Sequence, residues 1–216
     1  MIRAVIFDVD GVILDSTQAI FTNFQETARR LGVRVPADNE IRQLLGQPSS
    51  INLRIIFGDN PEARKIYDEV NKVTHSNLQL VPNAETALKQ VKLKKAIVTS
   101  KRLPSLNDQL RDYLNYFDAV ITPEDTVKQK PDPEPLLLAC KRLGFPPRDV
   151  IYIGDALRDL ETSRNAGIAF IAFVYTGATR DEFKKAGAKT IIDSLLDLNE
   201  IIKARNSEEL KTTKMQ

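Results

Sequence analysis

The chain has 216 residues, of which 42% are hydrophobic and 28% charged, a balance typical of a globular protein with a sizeable core. Its 31 basic and 29 acidic residues leave a formal net charge of +2, so charge gives no reason to expect nucleic acid or a membrane surface as partner. We expect neither a membrane span nor a signal peptide, because no apolar run approaches roughly 18 residues. The single cysteine, Cys140, excludes an internal disulfide and predicts a cytoplasmic protein.

The first predicted element is a short strand over residues 4–7, which stops abruptly at Asp8. Asp10 and Gly11 follow directly. A short run rich in β-branched residues is typical of a strand that is buried on both faces of a parallel sheet. Ligands bind such sheets outside the carboxyl ends of the strands, so the two aspartates mark a candidate site.

Residues 17–80 show only helical patterns, and we predict that they form a helical cap domain inserted after the first strand. Ser16 is the expected cap of the first helix, and Gly32 is its expected end. Three further helical segments follow: residues 38–45, an apolar stretch that ends at Gly58, and a helix that starts near Pro61. The only histidine, His75, is expected on the surface of this insert.

From residue 84 onward, predicted helices and short strands alternate. The helices are 84–91, 104–115, 134–143, 157–166, 180–186 and 195–204, and the strands are 96–98, 119–121, 150–153, 168–174 and 190–192. This alternation predicts an α/β fold with a three-layer, Rossmann-like parallel sheet core built from residues 1–16 and 81–205. Residues 206–216 are expected to be a disordered tail.

Three of the predicted strands end in polar groups: Asp8, Thr99-Ser100 and Gly154-Asp155. Because the carboxyl ends of parallel strands lie at one edge of the sheet, these polar groups are expected to form a single site. Their chemistry suits phosphoryl transfer. Asp8 can attack phosphorus, and Asp10, when protonated, can donate to the departing alkoxide and later accept a proton from water.

The other candidate residues would bind phosphate or metal. The Thr99 hydroxyl and the Ser100 amide can hold phosphate oxygens. Asp155 and Asp159 are one helical turn apart and offer the hard oxygen ligands that Mg²⁺ prefers. Lys130 can offset the negative charge of nucleophile and phosphate.

With these motifs the chain resembles a haloacid-dehalogenase (HAD) superfamily phosphatase with a helical cap, of the phosphoglycolate-phosphatase-like kind. Four segments carry the resemblance, in the family's order: Asp8-Val9-Asp10-Gly11-Val12, the strand 96–98 with Thr99, Lys130-Pro131, and the GDxxxD motif Gly154–Asp159. The sequence departs from the usual pattern at three positions without losing a reacting group: Asn83, Gln129 and Ala156.

The resemblance implies a HAD-like fold, Asp8 as nucleophile and Asp10 as acid and base. It also implies Mg²⁺ held by Asp8, the Asp10 carbonyl and Asp155, with Asp159 as a direct or outer partner of the metal. Gly11 belongs to the same motif and is counted with the phosphate-binding residues. The loop with Gln47 and Ser49 either lines the substrate pocket or is an ordinary polar turn.

The predicted function is therefore a Mg²⁺-dependent phosphatase acting on a small phosphorylated metabolite, such as phosphoglycolate or a sugar phosphate, as a monomer or homodimer. Three alternatives remain open. A β-phosphoglucomutase-like phosphomutase would keep all four motifs. A haloacid dehalogenase would need neither the metal nor a proton donor, and a non-catalytic binding module would show no turnover.

Overall fold

The computed structural model describes residues 1–76 and 78–214, and within them six strands form one sheet. In chain order the strands are β1 (Ala4–Phe7), β2 (Lys94–Val98), β3 (Ala119–Ile121), β4 (Val150–Gly154), β5 (Ala169–Phe173) and β6 (Ile191–Ile192). Their order in the sheet is β3-β2-β1-β4-β5-β6, and every neighbouring pair is parallel. The predicted α/β fold with a parallel sheet is confirmed.

The helices fall into two groups. Four of them lie between β1 and β2: α1 (Thr17–Leu31), α2 (Asp38–Arg42), α3 (Ser49–Phe57) and α4 (Pro61–Thr74). The others connect or follow the strands: α5 (Ala84–Gln90), α6 (Leu103–Leu110), α7 (Glu134–Leu143), α8 (Leu157–Ala166), α9 (Arg180–Lys185) and α10 (Leu198–Lys214). None of the described helices combines the length and apolar character needed to cross a membrane.

The central strand β1 is buried on both faces, which is why its sequence is apolar at every position. Val5 and Phe7 face one hydrophobic cluster, whereas Ala4 and Ile6 face another. Helices cover both faces, so the molecule has three layers. Truncating a buried aromatic such as Phe7 to alanine would cost about 3–5 kcal/mol.

The helical insert, residues 17–80, has a small hydrophobic core of its own, made of Phe21, Phe24, Ile41, Leu53 and Tyr67. Its apolar positions recur at helical spacing, so α1 and α4 each turn one face toward this cluster.

The chain leaves the insert through a tight turn at Asn83. Asn83 has φ +64°, the one non-glycine residue in the described chain with a left-handed backbone. Asparagine tolerates this conformation better than most residues, so it can serve where a glycine would be usual.

Four sequence predictions need correction. Helix α10 continues to Lys214, so the prediction of a disordered tail from residue 206 is wrong as far as the described chain extends; Met215 and Gln216 lie outside it. Asn206 explains the order near the start of that segment, because it accepts a hydrogen bond from the Ile2 amide at 2.5 Å and donates to the Ile2 carbonyl at 3.2 Å. Helix α2 ends at Arg42, three residues before the predicted end.

The other two corrections concern polar side chains. Ser16 precedes α1 but makes no side-chain capping bond; its hydroxyl instead donates to Asp10 at 2.5 Å. His75 is 7% exposed rather than on the surface. Its Nδ1 lies 3.0 Å from the Thr74 hydroxyl and 3.5 Å from the Asn23 amide nitrogen, so it joins a buried polar network inside the insert.

Candidate active site

The register of the three central strands brings the predicted polar strand ends to one edge of the sheet. Phe7 of β1 pairs with Ile97 of β2 on one side and with Ile153 of β4 on the other. The residues that follow each strand, including Asp8 and Thr99, therefore emerge at nearly the same level. This is the arrangement that the sequence predicted.

A cluster of three buried carboxylates lies at this edge. Asp8, Asp155 and Asp159 each offer an oxygen within 4.8 Å of the others, and none of them is more than 4% exposed. Lys130 is equally buried and lies 3.2 Å from Asp8 Oδ1 and 2.8 Å from Asp159 Oδ1. One ammonium group therefore faces three carboxylates, so the fully ionised cluster has two negative charges in excess.

Asp159 already has several donors of its own. Oδ1 accepts hydrogen bonds from Lys130 and, at 2.7 Å, from the Tyr152 hydroxyl, while Oδ2 accepts from the Ala156 amide at 3.1 Å. These bonds fix the carboxylate beneath the ammonium group of Lys130. The side chain is therefore suited to orienting Lys130, and Asp8 and Asp155 are left as the better placed carboxylates for a cation.

Burial and the excess of negative charge shift the pKa values of the groups in this cluster. Burial, followed by repulsion from Asp159 and Asp8, raises the pKa of Asp155 well above its usual range. Burial also raises the pKa of Asp8 to about 7, although Lys130 opposes the shift. Asp159 and Asp8 in turn hold the pKa of Lys130 above its ordinary value despite burial.

Two glycines leave the space that Asp155 occupies. A Cβ on Gly11, whose φ is +73°, would overlap the Asp155 carboxylate, and so would a Cβ on Gly177. Gly154 likewise has no room for a Cβ beside Asp159. Close packing against the carboxylates thus explains the glycines at positions 11 and 154 of the two motifs. The predicted site residue Gly11 lies next to Asp155 in the carboxylate cluster.

Asp10 has a different pair of partners, Ser16 and Lys101. Its Oδ1 accepts from the Ser16 hydroxyl and lies 3.1 Å from the ammonium group of Lys101. Burial would raise the pKa of Asp10, but the Lys101 charge and the Ser16 hydrogen bond outweigh burial and lower it. In this arrangement Asp10 is a carboxylate and can accept a proton.

The phosphate-binding candidates lie between the core and the helical insert. The Thr99 hydroxyl is buried and accepts from the Lys101 amide at 3.0 Å. The Ser100 hydroxyl donates to the Gly46 carbonyl of the insert at 2.9 Å, so it ties the insert over the site. Gln47 follows Gly46, and its side-chain nitrogen is buried without a hydrogen-bond partner in the described structure.

Two predicted site residues of the insert are not in direct contact with this group in the described part of the chain. Gln47 is linked to it only through its neighbour Gly46, and Ser49 lies in the first turn of α3.

Sequence reasoning missed three residues that contact the site, namely Lys101, Tyr152 and Gly177. It also missed Arg42, which binds the loop that contains Gly177. Lys101 follows Thr99-Ser100 directly, so its position at a strand end was a usable signal. Tyr152 was another, because a tyrosine in a fully buried strand needs a partner for its hydroxyl. Arg42 and Gly177 gave no signal, since their partners are distant in sequence.

The donor set fits a magnesium ion. The carboxylates are hard oxygen ligands, the kind that Mg²⁺ prefers. Burial, together with repulsion between the neighbouring carboxylates, raises the pKa values of two of them, Asp8 and Asp155, and a divalent cation would favour their ionised forms.

The comparisons with known proteins establish the family. The family model for "Haloacid dehalogenase-like hydrolase" matches residues 5–173, so the chain belongs to the haloacid dehalogenase-like hydrolases. The expectation of a HAD-family hydrolase is confirmed.

Relatives match along nearly the whole chain. A Clostridium perfringens protein named "Putative pyrophosphatase PpaX" is 31% identical, with 96% of this chain and 100% of that one covered. A phosphoglycolate phosphatase from Nitrosospira multiformis is 27% identical, with 93% and 96% covered. A crystal structure of a "Putative haloacid dehalogenase-like hydrolase" from Bacteroides fragilis is similar with a TM-score of 0.82 and 29% identity, over 92% of this chain and 100% of that one.

Proposed function

We propose that this protein is a Mg²⁺-dependent phosphatase that hydrolyses a phosphate monoester of a small metabolite through an aspartyl-phosphate intermediate. The observation that carries the proposal is the buried cluster of Asp8, Asp155, Asp159 and Lys130 beside the strand ends. In a HAD-family chain these groups would supply a nucleophile, Asp8, a cation that stabilises its charge, Lys130, and carboxylate ligands for a metal ion.

In the proposed first step, an oxygen of Asp8 attacks phosphorus and the bond from phosphorus to the leaving oxygen breaks. Asp10 donates its proton to that oxygen. An approaching phosphate dianion favours protonation of Asp10 beforehand, because like charge raises a carboxyl pKa. In the second step water attacks phosphorus, Asp10 takes the water proton, and the bond to Asp8 breaks, so that inorganic phosphate is released.

The remaining residues orient and neutralise. Lys130, held by Asp159, stabilises the charge on Asp8 and on the phosphate. Thr99 and Ser100 bind phosphate oxygens. Asp8, Asp155 and the Asp10 carbonyl would hold a Mg²⁺, which would supply positive charge so that an anionic nucleophile can approach an anionic phosphate.

The substrate class follows from the helical insert, which we propose acts as a cap domain over residues 17–80. The Ser100–Gly46 hydrogen bond closes the insert over the strand ends and favours small substrates. Phosphoglycolate and sugar phosphates are the candidate monoesters, and pyrophosphate, a phosphoanhydride, is tested beside them. A monomeric or homodimeric enzyme in the cytoplasm completes the proposal; light scattering and cell fractionation test these two points.

The first experiment measures phosphate release from p-nitrophenyl phosphate and from the candidate metabolites, with Mg²⁺ and with EDTA. Hydrolysis that depends on Mg²⁺ is expected. Metal-independent release of halide from a haloacid would favour the dehalogenase, and isomerisation of a sugar phosphate without phosphate release would favour the mutase. Absence of turnover with every phosphate would reject the phosphatase.

The second experiment replaces the nucleophile. Asp8→Asn should lower turnover by at least about 1,000-fold, the scale of losing a reacting group, while circular dichroism stays unchanged. Asp193→Asn is the matched control, because that carboxylate is 72% exposed and pairs with Arg180 on the surface. If Asp8→Asn keeps a near wild-type rate, Asp8 is not the nucleophile.

A further inference from the structure

A second connection between the helical insert and the core is made by the β5–α9 loop, residues 174–179. The first is the hydrogen bond between Ser100 and Gly46 described above. Arg42, the last residue of α2, donates from Nη1 to the Thr176 carbonyl at 2.9 Å and to the Gly177 carbonyl at 2.5 Å. A side chain of the insert thus binds two successive peptide groups of a core loop.

The guanidinium group of Arg42 is held in place within the insert. Its Cζ lies 5.4 Å from the centre of the Phe21 ring, and Phe21 is a buried member of the insert's own core. A cation over an aromatic face is favoured electrostatically, and the ring also limits the positions that the side chain can take. Arg42 therefore moves with the insert.

Two further bonds tie the same loop to the chain that enters the insert. The hydroxyl groups of Thr17 and Thr176 lie 2.6 Å apart, and the Tyr175 hydroxyl donates to Asp15 at 3.0 Å. A cleft of about 360 Å³ lies beside these contacts and is lined by Arg42 and the loop.

The core side of the loop is pressed against Asp155. The Ala178 amide donates to the Asp155 carbonyl at 2.7 Å. Gly177 lies so close that a Cβ on it would overlap both the side chain and the carbonyl oxygen of Asp155. A shift of the loop would therefore move or release the carboxylate of Asp155.

We propose that Arg42 is a positioning residue that couples closure of the helical insert to the placement of Asp155 as a metal ligand. When the insert is closed, Arg42 holds Thr176 and Gly177 against Asp155; when the insert opens, that support is lost. The metal site is then complete only when the substrate is enclosed. This inference rests on the proposed function, because it assigns Asp155 to the metal.

The test uses the full chain with Arg42→Met, which removes both hydrogen bonds from Nη1 but keeps a long side chain against Phe21. Arg42→Lys keeps the charge without the fork of donors and serves if the methionine variant does not fold. Arg54→Met is the matched control, because Arg54 is an exposed arginine on α3 of the same insert.

Three quantities are measured: the dissociation constant of Mg²⁺ by calorimetry without substrate, amide exchange of residues 174–179, and kcat with KM. Arg42→Met should raise the Mg²⁺ dissociation constant about tenfold, the low end of losses seen when support of a metal ligand is removed. Exchange of the loop should accelerate, kcat should fall, and Arg42→Lys should lie between the two. Arg54→Met should match the wild type.

Wild-type Mg²⁺ affinity and loop exchange in Arg42→Met overturn the coupling, whatever the activity of that variant. A wild-type chain that binds no Mg²⁺ overturns it as well. If the wild type binds Mg²⁺ but hydrolyses no phosphate, the proposed function fails while the calorimetry still decides the role of Arg42.

Discussion

Replacing Lys130 with methionine is the sharpest test of the charge balance at the site. The ammonium group lies 3.2 Å from Asp8 and 2.8 Å from Asp159, and all three side chains are almost completely buried. Methionine fills a similar volume but removes the one buried cation that contacts both carboxylates in the described structure. The carboxylate cluster is then left with no positive charge of its own.

The expected loss of stability in Lys130→Met follows from the burial of the ion pairs that Lys130 forms with Asp8 and Asp159. Removing one partner of a buried ion pair typically costs about 3–5 kcal/mol, because the remaining charge stays desolvated. With a urea dependence of about 1–3 kcal/mol per molar, the midpoint of Lys130→Met should fall by at least about 1 M at pH 7.5 without metal. Lys128→Met, a change of a nearby lysine whose side chain is 69% exposed, should shift it little.

Two conditions should partly restore Lys130→Met. Mg²⁺ should do so by binding the surplus carboxylates. A fall in pH toward 5.5 should do so because carboxyl groups with raised pKa values take up protons in the folded state before the unfolded one, so stability rises as pH falls through those values. Urea unfolding followed by circular dichroism measures both effects. An unchanged midpoint, or a loss that deepens with Mg²⁺ or acid, would refute the charge argument.

Two further changes test the close packing and the buried histidine. Gly11→Ala should abolish Mg²⁺ binding in calorimetry, because its Cβ overlaps Asp155, whereas Gly32→Ala, also at positive φ but in open space, should cost about 1–2 kcal/mol of stability and keep the binding. Equal Mg²⁺ affinity in both variants would contradict the packing argument. Burial and the Lys101 charge lower the pKa of His75 to about 4, so the contribution of His75 to stability should fall by up to about 3 kcal/mol as pH drops from 6.5 to 4. His75→Gln should flatten that part of the urea-derived stability profile, and an unchanged slope would contradict it.

The regular part of the fold could be predicted because local patterns determine it. The apolar strand that ends at Asp8 and the helices over residues 134–143 and 157–166 follow from periodicity and from their end residues. The shared edge of the strands followed from parallel topology alone. The grouping of Asp8, Thr99 and Asp155 needed no more information than that.

What could not be predicted depends on contacts between distant segments. Ser16 looked like a helix cap, but a carboxylate six residues earlier competes for its hydroxyl. His75 looked exposed, because nothing in its own helix reveals that Asn23 lies opposite. The partners of Arg42 are more than 130 positions away, beyond the reach of any local pattern.

The separate hydrophobic core of the helical insert has a consequence for how such a protein can change over generations. Substitutions at Phe24 or Leu53 affect the packing of the insert, while those at Val5 or Ile6 affect the sheet, so the two sets of residues are under largely independent selection. Under the proposed function, a lineage can therefore change its substrate preference through the insert and inherit its chemistry unchanged in the core. Residues that join the insert to the core, such as Ser100 and Gly46, are the ones at which substitutions in one part must remain compatible with the other part.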